Sequence, residues 1–376
     1  MKNLELHVSE IISNKLKKND FDAPPVDYFS WGRDSRHLVD NTERLPSIPV
    51  KENFSMKVAA RRLVSFVMGR VLRKNKAVII YRFRKQYASF DKTYQLMSDK
   101  YSKNLFAELT LMMLLSEKSM RLSSFTQDFI DSYEASSEKI LNSYVEFPVY
   151  EWMLKKIKLE NPPISFFTEP MVLNLHYTGR LYRYHQGKTL IEVEGGDIVI
   201  DAGVGWGDTT IYLAALADKL PGGRSYAFDI LKEGMHALSE QCNLNPKLKN
   251  ITPVLRALSD KDGDHVFVSS PSPGAKIVKE ETGRKVETIT IDTFSEENSL
   301  KKIDFIKMDI EGAELPALIG AAKTINMFKP KLAISVYHKW DDLLAIPTLI
   351  HSIRDDYNYY LDCTTGFGGE AVLFCR

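Results

Sequence analysis

Apolar residues recur three and four positions apart through most of the first 161 residues, and that spacing predicts helices. Met56, Ala60, Leu63, Val67 and Val71 share one face, Leu105, Leu109, Met112 and Met113 share another, and 128–141 reads as a further amphipathic helix. Residues 19–49 hold four prolines and little periodicity, which predicts a wrapping loop. Asn161-Pro162-Pro163 is the sharpest break, because paired prolines end helices. It divides the chain into a mainly helical N-terminal domain, 1–164, and a second domain, 165–376, with its core at 195–376.

Beyond the break the pattern shortens. Residues 171–175 and 181–184 read as short strands, followed by a turn at Gln186-Gly187 and a strand at 189–193. Buried-type strands at 197–201, 225–229, 251–255, 305–309 and 332–337 then alternate with helices at 208–220, 231–244, 313–327 and 341–353. Strands joined by crossover helices predict a parallel sheet with helices on both faces, an α/β fold. The end differs: two strands, 357–363 and 370–375, flank a glycine-containing loop at 364–369, so the last strand is expected to run antiparallel.

Composition narrows the class. The 376 residues, 44% of them hydrophobic, suffice for two domains. Three cysteines (242, 363 and 375) build no disulfide framework or zinc spacing, so reduced thiols are expected. The first twenty residues carry charges throughout and lack an apolar leader, and the aliphatic-type run 111–115 is far too short for a bilayer span. A cytoplasmic chain is the expectation. The net charge of +1 conceals +10 between Lys51 and Lys85, leaving −9 for the rest. Such a segment suits an anionic partner, whether nucleic acid or membrane surface. A solvated helix face paired with the acidic remainder is the simpler reading.

The most informative stretch runs from Asp197 to Thr209. A strand ends at Asp201 and a turn with Gly203, Gly205 and Gly207 leads straight into a helix at Asp208 and Thr209. That geometry brings backbone close to a ligand at the carboxyl edge of a sheet. The third glycine comes one residue early for a dinucleotide fingerprint, and Asp208 at the helix start repels pyrophosphate. Asp201 suits a ligand with an ammonium or sulfonium group. Asp229 closes the next strand, 22 residues after Gly207, where an acid accepts hydrogen bonds from ribose hydroxyls.

With DAGVGWGDT (201–209) stand YAFD (226–229), Asn243-Leu-Asn245, ALSDKDG (257–263), IDTF (291–294), IDFIKMDIEGAELPALIGA (303–321) and KPKLAISVYH (329–338). In these ordered blocks the last 180 or so residues resemble the FkbM-type S-adenosylmethionine-dependent methyltransferases. The resemblance implies a class I methyltransferase fold, a Rossmann-like sheet of seven strands with the last antiparallel. It also implies S-adenosyl-L-methionine bound by Asp201, Gly203, Gly205, Gly207, Asp208, Thr209, Asp229, Ser259 and Asp309, with Ser259-Asp260 near the adenine. Two departures stand out: Asp229-Ile230 replaces the Glu-Pro frequent in such families, and the glycine turn carries Val204 and Trp206. By resemblance the acceptor is a hydroxyl on a sugar, glycolipid or similar natural product. Phe166, Phe167, Tyr177, Tyr182 and Tyr184 are available to stack on sugar rings or to pack the interdomain seam.

Methyl transfer to oxygen needs alignment and a proton acceptor at the carboxyl ends of the central strands. His338 is the expected base, Asp309 orients the donor's ammonium or the acceptor hydroxyl, and Glu311 binds the acceptor or holds the base. Glu314, at a helix start, reads as a cap. Mg²⁺ on Asp309, Glu311 and His338 is the less favoured mechanism, because no third carboxylate is expected in reach. The alternatives are an RNA methyltransferase, for which no nucleic-acid module is seen, or a nucleic-acid- or membrane-associated binding protein using residues 51–85. Docking of that segment on anionic lipid would put the chain at the inner face of the membrane.

Overall fold

The computed structural model describes residue 11 and residues 88–376, apart from 116–121, 125, 126, 151, 179, 180, 270, 280, 282, 340, 366 and 367. The expected helix at 56–71, the loop at 19–49 and the basic segment 51–85 lie outside the described residues. No helix among the described residues is long and apolar enough to cross a membrane.

The sheet has seven strands: β1 Ile198–Ala202, β2 Arg224–Asp229, β3 Ile251–Leu255, β4 Phe305–Met308, β5 Lys331–Ser335, β6 Tyr359–Cys363 and β7 Ala371–Cys375. Their spatial order is β6-β7-β5-β4-β1-β2-β3. β1 pairs parallel with β2 and β4, β2 with β3, and β4 with β5, whereas β7 runs antiparallel to both β5 and β6. This is the class I methyltransferase sheet. The chain leaves β1 toward β2 on one side and returns to β4 on the other, so a crevice opens outside the carboxyl ends of β1, β2 and β4.

Alternation along the strands divides the core between two faces. Ile200, Ala202, Ile306, Met308, Leu332 and Ile334 pack with Ile325, Ile346 and Ile350 of the helices Ala322–Phe328 and Asp342–Ile353. Val199, Phe305 and Ala333 face the other way, onto Leu213 and Leu216 of the helix Asp208–Ala217. The helix expected at 313–327 is two helices, Glu314–Ile319 and Ala322–Phe328, broken at Gly320. There the backbone passes so near Ser259 that a Cβ on Gly320 would stand 2.0 Å from the Ser259 carbonyl oxygen.

Three expectations are corrected. Residues 146–161 are not helical: Glu146–Val149, Trp152–Glu160 and Pro163–Thr168 form a three-stranded antiparallel sheet. Leu154 and Ile157 are buried three residues apart, a spacing that imitates a helix face. Asn161-Pro162-Pro163 is accordingly the turn of a hairpin rather than a linker, and a boundary at 164 cuts one sheet in two. The helix Lys100–Leu115 lies against β6, where the Ser102 hydroxyl accepts from Leu361 N, and its Phe106 joins the core of the large sheet. Finally, 171–175 is not a strand. Glu169 accepts from Met171 N and Val172 N and Pro170 occupies the first turn, a helix start that continues into a π-helical stretch, Leu173–Thr178. The strand expected at 181–184 begins only at Tyr184, and Tyr184–Gln186 pairs with Thr189–Ile191 around the turn expected at Gly187.

The span between β3 and β4 builds a four-stranded sheet in the order Ile277–Val278, His265–Val268, Lys285–Ile289, Ala257–Leu258. Residues Ser272–Ala275 at its edge reach one wall of the crevice.

Candidate active site

The crevice encloses about 230 Å³ and is lined by the glycine turn, the ends of β2 and β4, residues 256–258 and 272–275, and Tyr150, His176, Tyr182, Tyr337 and Glu370. The turn follows from close packing. Gly203 (φ +92°) passes the end of β4, where a Cβ would stand 1.9 Å from the Asp309 carbonyl oxygen. Gly207 (φ +80°) faces the helix Lys232–Leu244, with a Cβ position 2.8 Å from Leu238 Cα, so it serves packing and does not line the crevice. Gly205 (φ +57°) has nothing within 4 Å of its Cβ position. Gly203→Ala should therefore cost roughly 3 kcal/mol or more of stability, from backbone strain plus a clash with main chain. Gly205→Ala should cost about 1–2 kcal/mol, for the left-handed conformation alone. Urea denaturation of the two variants checks the order.

Asp229 is placed where the sequence puts it. Oδ2 accepts from Val204 N and Gly205 N at 3.1 Å each, and Oδ1 accepts from Leu231 N at 2.8 Å, so one carboxylate ties the glycine turn to the end of β2 while lining the crevice. Burial raises its pKa, and these amides oppose the shift. Asp208 and Thr209 also line it. Asp208 accepts from Thr168 Oγ1 at 3.0 Å and from Thr209 N at 2.9 Å, and burial lifts its pKa to about 6 against those bonds.

Asp201 is elsewhere. Fully buried beneath the turn, it meets Lys307 Nζ at 3.1 Å and accepts from Thr210 Oγ1 at 2.6 Å. Lys307 stands directly opposite it in the β4–β1 register and also donates to the carbonyls of Ala202 and Gly203. A charge so paired is unavailable to a ligand's ammonium, so Asp201 holds the turn instead. Ser259 likewise does not line the crevice: its hydroxyl donates to Asp260, and Arg256, Ala257 and Leu258 form that wall.

Asp309, at the end of β4, gathers the most contacts. Tyr182 donates to Oδ2 at 2.6 Å, Tyr337 Oη lies 3.3 Å from Oδ1, and His338 Nε2 is 3.2 Å from Oδ1. His338 Nδ1 is 2.9 Å from Glu314 Oε1, and Glu311 lies 3.8 Å from Nε2. Burial disfavours the imidazolium, but Asp309 and Glu314 outweigh it and lift the His338 pKa to about 10. Burial likewise opposes ionisation of Asp309, yet His338 and Lys307 hold its carboxyl well below the usual carboxylate range. His338 is thus a buried imidazolium clamped between carboxylates, which does not suit the expected general base. Its role is to keep Asp309 charged and in place. Glu314, fully buried, also accepts from Ile310 N at 2.9 Å. Glu311 sits at φ +57° in the crevice wall, and burial raises its pKa.

The expectation that no third carboxylate lies in reach is corrected. Ligand atoms of Asp309, Glu314 and His338 come within 4.8 Å of one another. The protonated ring of His338 already supplies a cation between the two carboxylates.

Several lining residues were not expected. His176, on the π-helical stretch, has Nδ1 2.6 Å from Thr209 Oγ1, and burial followed by the charge of Lys307 lowers its pKa to about 4. Tyr337 and Glu370 flank Asp309. Proximity of π-helices to functional sites and the Glu169-Pro170 helix start were the available signals for His176. Of the five aromatics available to stack on a sugar or to pack a seam, Tyr182 lines the crevice, while Phe166, Phe167, Tyr177 and Tyr184 pack in or against cores.

Residues 200–359 match the methyltransferase FkbM domain, so the second half of the chain carries a methyltransferase domain of FkbM type. No curated protein matches. Among solved structures, a methyltransferase FkbM from Methylobacillus flagellatus KT aligns at 20% identity and TM-score 0.47, over 79% of this chain and 60% of that one. A putative rRNA methylase from Clostridium thermocellum aligns at 13% identity and TM-score 0.32, over 49% and 87%. A putative methyltransferase from Streptococcus mutans, in complex with SAH, aligns at 16% identity and TM-score 0.31, over 49% and 89%. This chain spans 60% of the length of the Methylobacillus protein.

Proposed function

We propose that the protein is an S-adenosylmethionine-dependent O-methyltransferase acting on a hydroxyl of a sugar, glycolipid or similar natural product. The observation that carries this reading is the charge of the crevice. Asp208, Asp229, Asp309 and Glu311 line it beside the carboxyl group of Glu370, against the cations Arg256 and Lys307 among the described residues. Such a wall fits a ligand with a sulfonium and an ammonium and disfavours a pyrophosphate.

The residues fit the donor along their length. Asp229 keeps one lone-pair site, on Oδ1, after accepting from three amides, and would hold a ribose hydroxyl there. Ile230, Leu231, Ala257 and Leu258 offer an apolar slot for the adenine. Gly203, Asp208, Thr209 and Asp309 remain for the methionine end. When bound, the donor supplies an electrophilic methyl group. The chain's own part is to orient and to move a proton: Tyr182 and His338 fix Asp309, and Asp309 with Glu311 holds the acceptor hydroxyl in line.

Labelled S-adenosylmethionine incubated with glycan and lipid extracts, followed by mass analysis, tests the acceptor class. Label on oxygen of a sugar-containing product is expected. Label found only in RNA would replace this reading with the RNA methyltransferase.

A further inference from the structure

Glu370 stands in the crevice beside Asp309, yet neither the glycine turn nor the Asp309 block leads to it. It directly precedes β7, with φ +62°, a left-handed conformation that glutamate seldom adopts. Tyr337 Oη lies 3.3 Å from Glu370 Oε2 and 3.3 Å from Asp309 Oδ1, so one phenol bridges the two carboxyl groups. The groups facing Glu370 are Asp309 and Glu311 after β4, Tyr337 and His338 after β5, Tyr182, and Cys363 of β6. His338 is the cation among them, and it is committed to Asp309 and Glu314. Burial and then the charge of Asp309 push the Glu370 pKa to about 8. Two carboxyl groups on one phenol thus have their proton affinities driven apart, an arrangement that divides acid and base roles.

We propose that Glu370 is the carboxyl group that takes the acceptor's proton, and that the donor arms it by driving Glu370's own proton to solvent as the sulfonium enters the crevice. This rests on the crevice being the S-adenosylmethionine site. With Glu370 ionised, the acceptor's O–H proton passes to its carboxylate. The O–CH₃ bond forms, and the S–CH₃ bond breaks with its electron pair left on sulfur. Cation and anion disappear together, leaving a neutral thioether beside a neutral carboxyl group, the form in which Glu370 rests. The product therefore places no demand on the Glu370 proton, and the donor does.

Calorimetric titration of the full chain with S-adenosylmethionine and with S-adenosylhomocysteine tests this without an acceptor, in buffers of differing protonation enthalpy between about pH 6 and 8.5. Running both ligands on wild type and Glu370→Gln cancels the ligands' own ionisation. At pH 7 the wild type should release close to one more proton on binding the sulfonium ligand than Glu370→Gln does. Its preference for that ligand over the thioether should rise roughly five- to tenfold per pH unit and level near pH 8. In Glu370→Gln the rise should vanish. Tyr337→Phe removes a hydrogen bond to the ionised carboxylate, so its levelling point should move to higher pH. Equal proton release and equal pH dependence in wild type and Glu370→Gln overturn the proposal, as does an unmoved levelling point in Tyr337→Phe. A wild type that binds neither ligand rejects the cofactor reading beneath it.

Discussion

Asp229→Ala should weaken S-adenosylmethionine binding about a hundredfold. A hydrogen bond from a ribose hydroxyl to a carboxylate is worth roughly 1.5–3 kcal/mol, and a hundredfold is about 2.7 kcal/mol. The loss has a second source in the fold. The same carboxylate accepts from Val204 N, Gly205 N and Leu231 N, so its removal frees the glycine turn from β2. Asp229→Asn keeps one acceptor oxygen and should lose only about tenfold. Calorimetric dissociation constants for both variants, with melting curves to show that they are folded, check the order. An Asp229→Ala protein that binds as tightly as wild type removes Asp229 from the cofactor site.

His338→Gln should lose about 3–5 kcal/mol of stability near neutral pH, the usual cost of removing one partner from a buried ion-pair cluster. The ring is 4% exposed and stands between Asp309 and Glu314, the latter fully buried. Without the cation those carboxylates repel each other in a medium that solvates them poorly. The pH dependence has a definite sign. The folded pKa of His338, about 10, lies above its unfolded value near 6.5. Its contribution is therefore complete below about pH 6.5 and falls as pH rises through 10. Asp309 is depressed in the folded state, so its contribution is present above about pH 4 and is lost on acidification. Urea denaturation of the wild type should show stability declining between about pH 7 and 10. In His338→Gln that alkaline decline should largely disappear. A wild type with flat stability across that range would show that the ring is not held as an imidazolium.

Much of the sheet was legible because its central strands are buried on both faces and announce themselves as short apolar runs. β1, β2, β4 and β5 fall within two residues of their expected bounds, and the antiparallel end was readable from two strands around a glycine loop. Misreadings came where long-range partners decide a residue's work. Asp201 looks like a ligand contact until Lys307, opposite it in register, is seen to neutralise it. A lysine inside the buried strand Phe-Ile-Lys-Met was the available clue, since a buried lysine needs an acid. His338 looks like a base of ordinary basicity until Glu314, 24 residues away, is found on its other nitrogen. His176 and Glu370 carry no motif. Folding alone brings a π-helical stretch and a hairpin end to the rim of one crevice.

The central claim is that this acidic crevice binds an adenosyl sulfonium donor. Titration of the full chain with S-adenosylmethionine, S-adenosylhomocysteine and NAD⁺ under one buffer tests it most directly. The account predicts saturable binding of the first two at one site per chain, and no heat from NAD⁺, whose pyrophosphate meets Asp208, Asp229 and Asp309. Binding of NAD⁺ alone, or of none of the three, would contradict it.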